Sequence, residues 1–143
     1  MNSKKAFTII ELMVVIVIIG ILAVIALPKF KLTVDRAIES DAINKLMTIH
    51  AANKIYFAQT GGYFAGNLDV NGINSSLAIN IIPDNMTYSY TGNANNYTAT
   101  ATRSSGDAFI MSVTEVPLSK GVGAGTGNPC CSGGSCPTTD NQC

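Results

Sequence analysis

The feature that most constrains this chain is an apolar run near its N-terminus. Lys4 and Lys5 stand before a stretch from Phe7 to Leu27, 21 residues long, whose one charge is Glu11. A helix of about 20 apolar residues crosses the roughly 30 Å hydrocarbon core of a bilayer. A carboxylate at membrane depth costs on the order of a few kcal/mol, so it points to a function. The run therefore predicts a membrane helix with a functional Glu11.

Three interpretations of this run compete. It is longer than the usual ~7–15 residues of a signal peptide, and no clear small-residue cleavage site follows it. Instead, Pro28-Lys29-Phe30 leads directly into more helix-like sequence. A plain signal anchor accounts for the length but not for Glu11. The third interpretation is a polymerising membrane helix that is cut in front of the apolar run.

Residues 6–12 (AFTIIEL), preceded by two lysines, closely resemble the processing site of type IV prepilins and related pseudopilins. The resemblance implies that a membrane peptidase removes residues 1–6 by cutting between Ala6 and Phe7, and then methylates Phe7. Ala6 departs from the usual Gly but is small enough that we expect cleavage. Glu11 matches the acidic fifth mature residue of these proteins. Gly20 and Pro28 match positions where their N-terminal helix loosens.

The chemistry of Glu11 supports this interpretation. Cleavage creates an ammonium at Phe7, about 6 Å from Glu11 along the same helix. In a stack of staggered helices, the carboxylate of one subunit can meet the amine of the next. Because desolvated opposite charges attract strongly, that pair would set the axial register, while the apolar faces supply most of the burial. The alternative is a Glu11 that snorkels to the lipid headgroups.

Charge and motifs argue against several other classes. The formal net charge is zero and becomes −2 once Lys4 and Lys5 leave with the leader, which gives no basic footprint for nucleic acid. DNA contact along a polymer would need a local basic patch and is not indicated. We find no catalytic constellation, phosphate loop or small-molecule site, so we expect no enzyme, cofactor or metal. His50 is the lone histidine, and such a residue is more often structural than a ligand.

Four cysteines, Cys130, Cys131, Cys136 and Cys143, lie within the last fourteen residues. An even count in a chain directed across a membrane indicates disulfides. Since a bond between adjacent cysteines is strained, two pairings remain open. One joins Cys130 to Cys136 and Cys131 to Cys143, and the other joins Cys130 to Cys143 and Cys131 to Cys136. A zinc site lacks a second ligand pair and a nearby histidine.

The second half of the helix is predicted to be amphipathic. Pro28 removes a backbone hydrogen bond, so the helix should kink or open there, and Gly61-Gly62 should end it. The predicted buried face comprises residues at helical spacing: Val34, Ile38, Ala42, Leu46, Ile49, Asn53 and Tyr56, widened by Ile43, Met47 and Ile55. The charged residues, including Asp35 and Glu39, are predicted to lie mostly elsewhere.

The remainder predicts a small head. Asn74-Ser75 could cap a short helix through Ile82, and the Asp69–Gly72 turn is a weak candidate for the start of a calcium loop. Alternating patterns predict strands at Met86–Tyr90, Tyr97–Thr102 and Ala108–Val116. The polar tail at 122–143 cannot fold alone, so disulfides should pin it to the head.

Together these features predict an α+β fold in which a long N-terminal helix packs on an antiparallel sheet of three or four strands, with a disulfide-stapled C-terminal loop. The predicted segments are a leader (1–6), a transmembrane and polymerisation helix (7–28), an amphipathic half (29–60) and a head (61–143) with its sheet at 86–116.

The resemblance implies a structural subunit of a type IV pilus-like filament for adhesion, surface motility or DNA uptake. Its partners would be identical subunits, prepilin peptidase and assembly machinery. It would sit in the bacterial inner membrane as a precursor and then in a cell-surface filament. The alternatives are a type II secretion pseudopilin and a single-pass anchored domain.

Overall fold

The computed structural model describes residues 7–103, 108–115, 129–133 and 136–137. The chain divides into two units, one ending at Asp35 and the other starting at Arg36. From here on the head means this second unit, which includes residues 36–60 as well as the head predicted at 61–143. In chain order the elements are α1 (Ile9–Thr60), β1 (Gly66–Asp69), α2 (Val70–Leu77), β2 (Thr87–Gly92), β3 (Tyr97–Arg103), β4 (Phe109–Thr114) and β5 (Cys130–Ser132).

Helix α1 ends where the sequence predicts. Its last residue is Thr60, and Gly61 adopts a φ of +79°, a left-handed conformation that glycine takes without steric cost. The Gly61 amide still donates to the Phe57 carbonyl oxygen at 2.8 Å, which satisfies one carbonyl of the last turn. Gly20 and Pro28 both lie inside α1, so the helix does not end at either residue.

The buried face of α1 in the head differs from the predicted face at its edges. Ala42, Leu46, Ile49 and Asn53 are fully buried, as predicted. The same stripe, at alternating spacings of three and four, also includes Asp35 and Glu39, which are 7% and 2% exposed and were predicted to lie elsewhere. Three predicted members of the face lie outside this arc and are exposed: Val34, Met47 and Ile55.

The sheet is an antiparallel meander with strand order β1-β2-β3-β4-β5. Tyr90 pairs with Ala99, and Ala101 pairs with Met111. Because side chains alternate across a strand, these residues share one face of the sheet. That face carries Tyr88, Tyr90, Tyr97, Ala99, Phe109, Met111 and Val113, and it forms one core with the head part of α1.

The three predicted strands are confirmed with ends that differ by at most two residues, although Val116 lies outside the described residues, and two further strands complete a five-stranded sheet rather than one of three or four. β1 is a four-residue edge strand within a Gly- and Asn-rich stretch. β5 lies in the polar tail, for which no strand was predicted, and there Met111 pairs with Cys131. Strands this short carry too few residues for their alternation to be recognised in the sequence.

Helix α2 was placed incorrectly by the sequence. It spans Val70–Leu77 rather than residues 74–82, and its N-cap is Asp69, whose side chain accepts from the Gly72 amide at 2.8 Å. Asn74 instead lies inside the helix, where its side-chain amide bonds both backbone groups of Ile81. Asp69 therefore ends β1 and caps α2, and the residues predicted as the Asp69–Gly72 turn form the first turn of that helix.

Candidate assembly segment

The N-terminal half of α1 presents an uncovered apolar surface. Its large apolar side chains are exposed from Phe7 (79%) and Ile9 (83%) through Leu32 (45%). By length and composition α1 is able to cross a membrane. An apolar surface of this extent is typical of a segment that contacts lipid or other protein.

Thr8 and Glu11 form a reciprocal cap at the start of α1. The Thr8 amide and hydroxyl both donate to Glu11 Oε2, at 2.9 and 2.8 Å. In return, the Glu11 amide donates to Thr8 Oγ1 at 3.3 Å. This arrangement is a capping box, in which the N-cap and the third helical residue satisfy each other's free backbone donors.

The cap also fixes the position of the Glu11 carboxylate. Glu11 lines a shallow apolar groove together with Phe7, Ile10, Val14 and Val15. The acidic side chain is therefore held in place at the helix start among apolar neighbours. The carboxylate also lies beside the helix N-terminus, where the macrodipole favours a negative charge.

Of the predicted site residues in this segment, the structure describes all but Ala6. Phe7 directly precedes α1, and Glu11 lies in its first turn. A Cβ added at Gly20 would meet open space, because nothing beyond the helix's own backbone lies within 4 Å of it. Ala6, on the leader side of the predicted cleavage site, lies outside the described residues.

Sequence reasoning did not assign a role to Thr8. Its signal is nevertheless explicit, because Thr8-Ile9-Ile10-Glu11 is the T-x-x-E pattern of a capping box directly before an apolar run. The interpretation of Glu11 as a residue for intersubunit contacts left its local role at the helix start unconsidered.

The second candidate region is the C-terminal disulfide. Cys131 and Cys136 are bonded, with their Cα atoms 6.1 Å apart. This bond belongs to the second of the two pairings that the sequence left open. Cys130 is also disulfide-bonded, and Cys143, its partner in that pairing, lies outside the described residues. The Cys131–Cys136 bond links β5 to the segment that follows it.

Potential ligands for a metal are dispersed in the described part of the chain. No group of three or more His, Cys, Asp or Glu side chains there could hold a metal ion. The arrangement of Thr8, Glu11 and the exposed apolar helix is suited to association with other helices.

Comparison with known proteins agrees with this arrangement. The family model of the prokaryotic N-terminal methylation motif matches residues 1–27. This match, together with the relatives described next, supports a type IV pilin-like protein. No solved structure matches the chain.

Curated relatives are pilins and fimbrial proteins. The chain is 46% identical over 72 residues to a fimbrial protein of Moraxella nonliquefaciens, which covers 48% of this chain and 44% of the relative. It is 42% identical over 60 residues to the type IV major pilin protein PilA of Myxococcus xanthus, covering 42% of this chain and 27% of the relative. It is 43% identical over 60 residues to the type IV major alpha-pilin of Moraxella bovis, covering 42% of this chain and 32% of the relative. The matches thus span less than half the length of these relatives.

Proposed function

We propose that this chain is the structural subunit of a type IV pilus-like filament. The observation that carries the proposal is the Glu11 carboxylate, held by Thr8 at the start of an exposed apolar helix. A membrane-inserted monomer covers such a helix with lipid, and a filament covers it with neighbouring helices. The apolar surface supplies the attraction between subunits, and Glu11 supplies the register.

Processing precedes assembly in this proposal. Prepilin peptidase removes residues 1–6 and methylates Phe7, which leaves a cationic N-terminus next to the Thr8–Glu11 cap. The Glu11 carboxylate of one subunit then accepts hydrogen bonds from the N-terminal ammonium of the next. Gly20 and Pro28 allow the helix to loosen as it leaves the bilayer, because both residues have low helix propensity.

The precursor resides in the bacterial inner membrane with its head outside the bilayer. Assembly machinery moves it into a surface filament whose heads face outward. The relatives support a pilus or fimbrial subunit, and adhesion, surface motility or DNA uptake are the roles such a filament would serve. The disulfide-bonded C-terminal region favours a pilin over a type II secretion pseudopilin.

The test is intact mass spectrometry and electron microscopy on the fraction sheared from intact cells. We expect long filaments whose subunit begins at methylated Phe7 and lacks the four cysteine hydrogens. A processed protein that stays in the cell envelope would favour the pseudopilin. An uncut protein that keeps residues 1–6 would contradict both and leave the single-pass anchored domain.

A substitution isolates the contribution of the carboxylate. Glu11→Ala should still insert into the membrane but should yield few filaments. Met13→Ala is the matched control, because it shortens an exposed side chain in the same region without removing a charge. Equal filament yield from the two variants would argue against a register role for Glu11.

A further inference from the structure

The single histidine of the chain lies at the contact between α1 and the sheet. His50 Nδ1 is hydrogen-bonded to the hydroxyl of Tyr97, the first residue of β3. Tyr97 is 2% exposed and fully within the core, whereas His50 is half-buried. This hydrogen bond therefore connects a buried tyrosine on β3 to a partly solvated imidazole on α1.

The direction of the hydrogen bond follows from the burial of Tyr97. A buried hydroxyl proton needs an acceptor. Among the described residues, the hydrogen-bond partner of the Tyr97 hydroxyl is His50 Nδ1. Burial also raises the pKa of Tyr97, so its hydroxyl stays protonated. The hydroxyl thus donates, and neutral His50 accepts through Nδ1 while carrying its own proton on Nε2.

Protonation of His50 would disrupt this arrangement. An imidazolium has no lone pair on Nδ1 and can only donate. The Tyr97 proton would then lack its acceptor inside the core, which is the costly case for a buried polar group. Tyr97 also packs on Tyr63 and Tyr90, with ring centroids 5.1 and 5.7 Å away, so a displaced Tyr97 disturbs its neighbours as well.

Four charged or titratable groups surround His50. Lys54 lies one turn further along α1, Tyr63 follows α1, Tyr97 begins β3, and Glu115 follows β4. Lys54 Nζ lies 2.7 Å from Glu115 Oε1 and 3.2 Å from the Tyr63 hydroxyl, so the Glu115 charge is already paired with Lys54. Desolvation, then the Lys54 charge, lower the pKa of His50, and Glu115 opposes them in part.

We propose that the His50–Tyr97 hydrogen bond is an acid-sensitive contact between α1 and β3. It stabilises the packing of α1 on the sheet at neutral pH, and this packing weakens when His50 is protonated. The direction of the pH dependence follows from the linkage between folding and the protonation of His50. The neutral form is favoured in the fold, so this stabilisation is complete above the unfolded-state pKa near 6.5 and is lost as the pH falls toward the lower folded-state pKa.

The first test is an NMR titration of the full-length chain in detergent micelles, where the one imidazole gives one set of ring signals. We expect His50 to titrate below pH 6.5, and Tyr97→Phe to shift this titration upward. Tyr88→Phe is the matched control, because Tyr88 is equally buried on β2 and its hydroxyl has no hydrogen-bond partner among the described residues. The same upward shift in both variants, or a wild-type titration at or above 6.5, would overturn the proposal.

The second test does not depend on a Tyr97 variant that folds. Melting temperatures of the wild type and of His50→Gln are compared at pH 7.5 and 5.5. Glutamine offers an acceptor that does not titrate, so the wild type should lose more stability on acidification than His50→Gln. Equal losses in the two proteins would overturn the proposal.

Discussion

The Tyr90 hydroxyl oxygen lies 3.0 Å from Asn53 Oδ1, joining the second strand of the sheet to the buried face of α1. The same hydroxyl lies 2.9 Å from the Phe64 carbonyl oxygen, and Asn53 Nδ2 donates to the Ile49 carbonyl oxygen at 3.2 Å. A buried asparagine on an otherwise apolar stripe is tolerated because its polar atoms find partners. This network fixes how the helix, strand β2 and the segment before β1 meet.

Removing the Tyr90 hydroxyl should therefore destabilise the head. We expect Tyr90→Phe to lower the free energy of unfolding by about 1–3 kcal/mol, because Asn53 Oδ1 and the Phe64 carbonyl oxygen lose the one hydroxyl proton that they share. Chemical denaturation followed by circular dichroism measures the change. Ser89→Ala, which removes an exposed hydroxyl on the same strand, should cost less. A larger loss from Ser89→Ala would contradict this account.

Gly92 is a position where the backbone approaches too closely for any side chain. A Cβ there would lie 2.5 Å from the Phe64 carbonyl oxygen and 2.6 Å from the Tyr90 hydroxyl oxygen. Gly92→Ala should therefore destabilise the head by roughly 1–3 kcal/mol, the usual cost of overpacking. Thermal melting of the head tests this. Gly20→Ala serves as the control, since its Cβ would meet open space, and it should leave head stability unchanged.

The Thr8–Glu11 cap should determine how firmly the first turn of α1 is formed. Thr8→Val removes the hydroxyl that accepts from the Glu11 amide, a loss typically worth about 1 kcal/mol. Amide exchange in the first turn should then accelerate roughly fivefold, which is the factor that 1 kcal/mol implies. Hydrogen exchange in micelles measures this. Thr8→Ser keeps the hydroxyl and should exchange like the wild type, and unchanged exchange in Thr8→Val would argue against the cap.

The Lys54–Glu115 ion pair should make head stability sensitive to strong acid. Desolvation raises the pKa of Glu115, but hydrogen bonds from Lys54 and Tyr63 outweigh it and leave the pKa below the ordinary 4.5. The stabilisation is therefore present above pH 4.5 and is lost as the pH falls through the folded-state pKa. Lys54→Met should reduce the difference in melting temperature between pH 5 and pH 3. An unchanged difference would show that other carboxylates govern it.

Breaking the Cys131–Cys136 bond should affect the edge of the sheet most. The bond closes a short loop with a sequence separation of 5, for which chain entropy alone gives about 2 kcal/mol. A double Cys131→Ser, Cys136→Ser variant should therefore show faster hydrogen exchange in β5 and in the part of β4 that pairs with it. Exchange in β2 serves as the internal control. A uniform acceleration across all strands would instead indicate global destabilisation.

The parts of this fold that the sequence predicted are those with long, regular patterns. The strand alternation of Tyr97, Ala99 and Ala101 and the stop at Gly61 are local signals and were correct. The exposure of Val34 and the burial of Glu39 were not predicted, because which side of α1 meets the sheet is decided by tertiary packing. Helix α2 was misplaced because Asp69 and Asn74 are both acceptable caps. The Asn74 side chain instead bonds the backbone of Ile81, seven positions further along the chain, and local patterns do not indicate that contact.

For the candidate assembly segment and the C-terminal disulfide, the sequence again indicated some features and not others. Glu11 was predicted to act in assembly because it is the one charge in an apolar run, whereas its hydrogen bonds to Thr8 at the helix start were not predicted. The short edge strand β5 and the choice between two cysteine pairings depend on which residues lie across from β4, and spacing along the chain does not contain that information.

The order of the strands has a consequence for how the head is made. Among the described residues, each strand after β1 pairs with the one that precedes it in the chain, and no strand there must be inserted between two existing ones. Contacts of this kind join strands that are neighbours in the sequence, which keeps the contact order low and favours rapid folding. The sheet can therefore form strand by strand in the order of synthesis, with the three-residue strand β5 added last.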